Sequence, residues 1–233
     1  MDVKHFPDKC FVCGENQFVY RTILWKELED EWELSEFEID YINRQQGLSC
    51  LNCQSNLRSN VLAKAFLVAA TTEKTLEKYT RAFKARKLRI LEVNEAGNLH
   101  QTLMRFRNHT FAEYPEVDLH DLPYEDEYFD FVIHSDTLEH VDRPLVALSE
   151  IHRVLKRGGK TIFTTPIIVD RLSRSRTGLP KSYHGSSEVM DEGMLVTYEY
   201  GSDFWKFLAE SGFADIRIVT ENYPAGISFI CTK

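Results

Sequence analysis

The feature that most constrains this chain is the ordered run from Leu88 to Pro166. Leu88-Arg89-Ile90-Leu91-Glu92-Val93 is short, apolar and closed by a carboxylate, the composition of a buried parallel strand. A small-residue loop follows, Asn94-Glu95-Ala96-Gly97-Asn98, and an amphipathic segment starts at Leu99. His109 to Tyr114 and Phe129 to His134 read as two further strands. Pro144 opens a helix at a favoured first-turn position, with Leu145, Leu148, Ile151 and Leu155 on one face. Gly158-Gly159 is expected to close that helix, and Lys160 to Pro166 to form the next strand.

Between these elements stand Asp118-Leu119-His120-Asp121-Leu122-Pro123-Tyr124, then Tyr128-Phe129-Asp130, Leu138-Glu139-His140-Val141 and Arg153-Val154-Leu155-Lys156-Arg157-Gly158-Gly159. Taken in order, they resemble the core of class I S-adenosylmethionine (SAM) dependent methyltransferases, most of all the small-molecule type. The resemblance implies an α/β fold, a Rossmann-like seven-stranded sheet with a terminal antiparallel hairpin. Phe213 to Thr220 and Ile227 to Thr232 supply that hairpin, which separates such a sheet from a nicotinamide-binding domain. Before it, Ser202 to Gly212 reads as a capped helix with a glycine stop.

The resemblance also implies a cofactor site. The family's GxGxG loop falls on Asn94, Ala96 and Asn98, with Gly97 between them, so every glycine of the pattern is replaced. Asn tolerates a left-handed backbone best among non-glycine residues, and Ala adds only a methyl. Glu113 lies 21 positions after Glu92, where a ribose-binding carboxylate is expected. Asp118 matches the residue that accepts from the adenine amino group, and Leu119 would give an apolar contact and a backbone donor. Ligands of open α/β sheets bind beyond the carboxyl ends of the strands, which places His134, Ser135, Asp136 and His140 near the reacting methyl. The expected cofactor set is thus Glu92, Asn94, Ala96, Gly97, Glu113, Asp118, Leu119, His134 and Ser135, with His140 or His184 as base. The helix usual after the second strand is missing, because Pro115 follows at once.

Two CxxC pairs precede this core. Cys10-Phe11-Val12-Cys13-Gly14 and Cys50-Leu51-Asn52-Cys53 lie 36 residues apart. Each turn aims two thiolates at one point, and together they complete a tetrahedral sulfur site suited to structural zinc. A redox CxxC would open a helix, whereas Tyr20 to Trp25 after the first pair reads as a strand. We therefore expect a zinc-ribbon-like head over residues 1–60 and a catalytic domain over 61–233, joined by a helix that Ser59 or Asn60 caps. Cys231 is read as a buried thiol.

The formal charge is −8, and residues 27–40 alone carry eight acids and no base. This stretch reads as a solvated face. A nucleic-acid grip would need a basic head, so RNA methylation through the head is the rival reading, with a non-catalytic scaffold as the other. Residues 167–198 lack a clear period and carry Arg171, Arg174, Arg176 and Lys181 against Asp170, followed by Tyr183. They are expected to form a substrate lid, with Arg171, Arg174, Arg176 and Tyr183 binding the acceptor. The acceptor expected is a small polar or anionic metabolite or a glycan precursor. No window is long and apolar enough for a membrane span, and the first residues lack a signal-peptide core, so a cytoplasmic location is expected.

Overall fold

A computed structural model describes residues 6–183 and 192–233. The two cysteine pairs flank a small antiparallel ladder, β1 (Phe18–Tyr20) on β2 (Leu48–Cys50), with Phe18 opposite Cys50. The strand expected through Trp25 ends at Tyr20, because Asn43 Oδ1 takes the N–H groups of Ile23 and Leu24 at 2.7 and 2.9 Å. Between β1 and β2 run α1 (Lys26–Glu31) and α2 (Glu36–Gly47). A reciprocal capping box of Ser35 and Glu38 starts α2.

Helix α3 (Leu57–Ala69) follows the second cysteine pair. Asn56 caps it by accepting from Ser59 N at 2.9 Å; Ser59 and Asn60 lie one turn inside. Next come α4 (Leu76–Thr80) and a short 3-10 turn at Lys84–Lys87. The core then runs β3 (Arg89–Val93), α5 (His100–Leu103), β4 (Asn108–Ala112), β5 (Phe129–Ser135), α6 (Pro144–Val154) and β6 (Leu155–Thr164). The strand takes over from α6 at Leu155, ahead of the glycine pair. Gly158 stands at φ +74°, and at Gly159 a β-carbon would come within 2.8 Å of the Lys156 carbonyl. The lid segment contributes β7 (Ile167–Ile168), β8 (Arg174–Ser175) and β9 (Tyr198–Gly201), in the order β7-β9-β8. Helix α7 (Trp205–Glu210) and the hairpin β10 (Asp215–Glu221) and β11 (Gly226–Thr232) complete the chain. No side chain caps α7; Asp203 accepts from Ser173 N at 2.7 Å instead.

The main sheet has the order β10-β11-β6-β5-β3-β4, with β3 to β6 parallel and the hairpin antiparallel. The α/β class therefore stands, with six strands among the described residues rather than seven. The absent strand belongs between β4 and β5. There, turns bonded Val117 N to Glu113 O and Asp121 N to Asp118 O fold the chain back, and Leu119 and Leu122 drop into the core.

Side chains alternate across the sheet as the pleat requires. Leu91, Val132, Phe163 and Phe229 pack toward α6 and α7. Ile90, Phe131, Ile133, Ile162 and Ile230 pack toward α3, in one buried cluster with Cys10, Val12 and Cys50. The cysteine head and the sheet thus share a core, and α3 runs straight across residue 60.

Candidate active site and metal centre

The cysteine turns match bond for bond. Cys10 N donates to Glu15 O and Gly14 N to Cys10 O; Cys50 N donates to Ser55 O and Gln54 N to Cys50 O. Gly14 and Gln54 both take positive φ, +100° and +61°, which turns each second thiol back toward the first. The ligand atoms of Cys10, Cys13, Cys50 and Cys53 all lie within 4.8 Å of one another. Hydrogen bonding with Cys10 and with Ser55 holds the Cys53 thiol below its ordinary pKa, against burial. Four converging sulfurs are the donor set of a closed structural zinc site. Cys231 is buried in the core away from this cluster, and burial pushes its thiol up.

The loop after β3 is built from the inside by Glu92, which is fully buried. Its Oε1 accepts from Ala96 N at 2.9 Å, and its Oε2 meets His100 Nδ1 at 3.0 Å and His109 Nε2 at 2.7 Å. Glu92 is therefore a brace for the loop, with both oxygens occupied, rather than a ligand of the cofactor. Ala96 is equally buried. Asn94 and Gly97 take φ +54° and +55°, the left-handed geometry for which Asn and Gly are suited. Asn94 Oδ1 accepts from Tyr114 N at 3.0 Å and so ties this loop to the end of β4.

Glu113 stands exposed just beyond β4. Asp118 Oδ1 accepts from His120 N at 2.8 Å and meets His120 Nδ1 at 2.7 Å, while His120 Nε2 reaches Asp142 at 3.1 Å. The hydrogen bond from His120 N holds the Asp118 carboxyl below its usual value. Leu119 is buried under this turn.

At the end of β5 the expectation for His134 fails. Its ring is fully buried on the α6 side of the sheet, stacked 4.5 Å from Phe163, and burial lowers it to about 3. Alternation along the strand sends it into the core. Ser135 is buried too and shares a 2.8 Å hydrogen bond with Thr164 Oγ1. Asp136, at φ +47°, turns outward to an ion pair with Arg58 of α3 and accepts from Thr164 Oγ1 at 3.2 Å. Glu139 is buried beside it, accepting from Thr165 Oγ1 at 3.1 Å. Burial and the charge of Asp136 raise the Glu139 carboxyl well above the usual range. His140 Nδ1 bonds Leu195 O at 3.0 Å, and its Nε2 lies 3.7 Å from Glu139. Burial lowers its pKa, which keeps it neutral at pH 7. His184 lies outside the described residues.

The three lid arginines are already partnered. Arg171 bonds both Glu38 oxygens, at 2.8 and 2.9 Å, and Glu33 O at 2.9 Å. Arg174 pairs with Glu199 at 2.6 Å, and Arg176 contacts the same carboxylate. Tyr183 bridges to Leu195. The acidic stretch is largely the solvated face expected, with Glu27, Asp30, Glu31, Glu33, Glu36 and Asp40 exposed; Glu38 is the exception and is buried, and Trp32 Nε1 donates to Ser182 Oγ at 3.2 Å. Burial would raise the Glu38 carboxyl, but hydrogen bonds from Arg171 and Ser35 outweigh it and the net shift is downward.

Residues 72–163 match the family described as "Methyltransferase domain". The matched segment begins just after α3 and ends in β6, leaving head, lid and hairpin outside the match. An uncharacterized protein of Methanocaldococcus jannaschii is 34% identical over 97 residues, 42% of this chain, and the match spans only 44% of that relative's length. Among solved structures, a SAM-dependent methyltransferase of Thermotoga maritima is 18% identical, with 74% of this chain and 91% of that one covered at a TM-score of 0.39. The DszA carbon methyltransferase is 16% identical, with 72% and 50% covered and a TM-score of 0.41.

Sequence reasoning missed Arg58, Glu139 and the bracing role of Glu92. Only for Glu139 was there a signal, its place in Leu138-Glu139-His140-Val141.

The polar atoms at the loop bear on whether SAM fits. Arg58 Nε and Ser59 Oγ are buried without a hydrogen-bond partner. Both side chains approach Gly97, where a β-carbon would lie 3.4 Å from Arg58 Nη2 and from Ser59 Oγ. Spare donors beside a left-handed loop at the carboxyl ends of parallel strands suit a polar ligand there. No helix among the described residues is long and apolar enough to cross a membrane.

Proposed function

We propose that this chain is a SAM-dependent methyltransferase for a small polar acceptor, an anionic metabolite or glycan precursor, and that its cysteine head holds one structural zinc ion. The observation that carries the reading is a coincidence of place. The matched segment contains the loops after β3, β4 and β5, and these converge where ligands of such sheets bind.

SAM would supply a methyl group on a sulfonium: the S–CH3 bond breaks as the acceptor–CH3 bond forms, and S-adenosylhomocysteine leaves. The residues act by alignment and exclusion of water. Glu92 and Asn94 hold the loop shape, and Glu113 and Asp118 are assigned to the ribose and adenine. The lid is fastened over the site by Thr197, whose N–H donates to Glu139 O at 2.7 Å and whose Oγ1 donates to Val141 O at 2.8 Å. His140, neutral and beside Glu139, is assigned to take the acceptor's proton where one must leave. Arg174, more than half exposed though paired with Glu199, is the lid arginine assigned to meet an anion.

The test uses the full chain with methyl-tritiated SAM and two acceptor pools, a small-molecule extract and total RNA. Label in the small-molecule fraction supports the reading. Label in RNA alone overturns the acceptor class, and label in neither pool, with no SAM bound, returns the scaffold reading.

A further inference from the structure

We infer that Arg58, on the helix that leaves the cysteine head, grips the carboxylate at the methionine end of SAM, with Asp136 facing the α-ammonium. The inference rests on the SAM reading above and names the residues that would fix that end of the cofactor.

Arg58 is in the first turn of α3, five residues after Cys53. It belongs to no strand or loop of the sheet, yet its guanidinium lies between two of the sheet's ligand-facing loops. One Nη1 hydrogen bonds Asp136 at the end of β5, and Nη2 lies against Gly97 in the loop after β3. The side chain is 18% exposed and that of Asp136 12%, so both charges are largely out of water.

A guanidinium carries five N–H donors in a planar fork. Here Asp136 takes one, and Nε is buried with no partner. A buried unpaired donor is costly, and a planar anion arriving beside it would be held by parallel charge-assisted bonds. Ser59 Oγ, also buried and unpartnered, adds a further donor at the same loop.

The loop itself is poorly equipped to hold an anion. Its glycines are replaced, and the helix after it, α5, spans only His100–Leu103. A single turn has few aligned amides to offer, so the charge has to come from a side chain.

The pair, rather than the cation alone, points to this ligand. Arg58 and Asp136 present one positive and one negative charge side by side. The amino-acid end of SAM presents one carboxylate and one ammonium on adjacent atoms. The two arrangements are complementary, whereas a simple anion would meet Asp136 as a repulsive neighbour.

The position of Arg58 is set by the head. Asn56 caps α3, and Asn60 Oδ1 accepts from Phe11 N in the first cysteine turn at 2.6 Å. The metal centre would therefore hold a cofactor ligand in place without touching the cofactor.

Two nucleosides separate this from a purely structural ion pair. S-adenosylhomocysteine has the amino-acid end; 5′-methylthioadenosine has the same adenosine and sulfur but lacks it. Titration calorimetry of the full chain would compare both ligands on wild type, Arg58→Met, Arg58→Lys and Lys64→Met. The last removes another α3 ion pair, Lys64 to Glu221 at 2.6 Å, away from the loop. The inference predicts that Arg58→Met weakens S-adenosylhomocysteine about 10- to 100-fold, the usual range for a charged hydrogen-bond pair. Methylthioadenosine should change by less than about 2-fold, Arg58→Lys should recover part of the loss, and Lys64→Met should leave both ligands as they were. Equal weakening of both nucleosides by Arg58→Met would make Arg58 a brace and overturn the inference with the SAM reading intact. Wild type that binds neither nucleoside would overturn the SAM reading itself.

Discussion

Asn60 of α3 accepts a 2.6 Å hydrogen bond from the backbone N–H of Phe11, inside the first cysteine turn. Asn60 is fully buried, so this bond is the joint through which the head fixes the helix carrying Arg58. A metal centre joined in this way would act on the active site by placement.

Metal removal should therefore reach beyond the head. Elemental analysis should find about one zinc per chain. Chelation should lower the melting temperature and weaken S-adenosylhomocysteine, since the metal supplies folding free energy to a head that shares its core with the sheet. Metal-free protein with unchanged melting and affinity would separate the head from the site.

Glu92→Ala should be severe. It leaves Ala96 N–H, His100 and His109 without their common acceptor in a buried place. The loss expected is about 3–5 kcal/mol, the range for breaking a buried charged network. Urea unfolding measures it; a loss below about 1 kcal/mol, within the range of an exposed pair, would show that the loop does not depend on Glu92.

How much of this was legible follows from where each signal resides. The strands β3, β5 and β6 announce themselves by short apolar stretches at Ile90-Leu91, Phe131-Val132-Ile133 and Ile162-Phe163, and the cysteine site by two short spacings that no fold is needed to interpret. His134 misled because a strand's last residues look alike in sequence whichever face they take; the pleat sends its ring into the core against Phe163. Arg58 could not be read, because its partner Asp136 is 78 residues away and on another element. Glu38, the one buried acid of the acidic stretch, was opaque for the same reason: it acquires its meaning only from Arg171, 133 residues on.

The Arg171–Glu38 pair should fasten the lid to α2. Glu38 is almost buried while Arg171 is one-third exposed, so solvent screening limits the coupling. A double-mutant cycle with Arg171→Leu and Glu38→Gln should give about 1 kcal/mol. Additive effects would leave the lid without this fastening.

Glu139 sets a pH dependence of stability. Its folded pKa lies above the unfolded value of about 4.3. The unfolded chain therefore releases this proton first, and the contribution of Glu139 falls as pH rises from about 4.3 toward the folded pKa. Glu139→Gln removes that slope. The variant should be more stable than wild type at pH 8, with the gap closing below about pH 4, as read by thermal melts across pH. A gap that widens toward acid would mean that Glu139 is held as a carboxylate.

Activity requires that this glycine-poor loop still receives SAM. Titration calorimetry of the full chain with S-adenosylhomocysteine asks this most directly. The prediction is a single saturable site per chain, with a thermal shift equivalent to about 2.7 kcal/mol at a hundredfold excess over Kd. Neither heat nor thermal shift at millimolar ligand would contradict it and leave a methyltransferase fold without its cofactor.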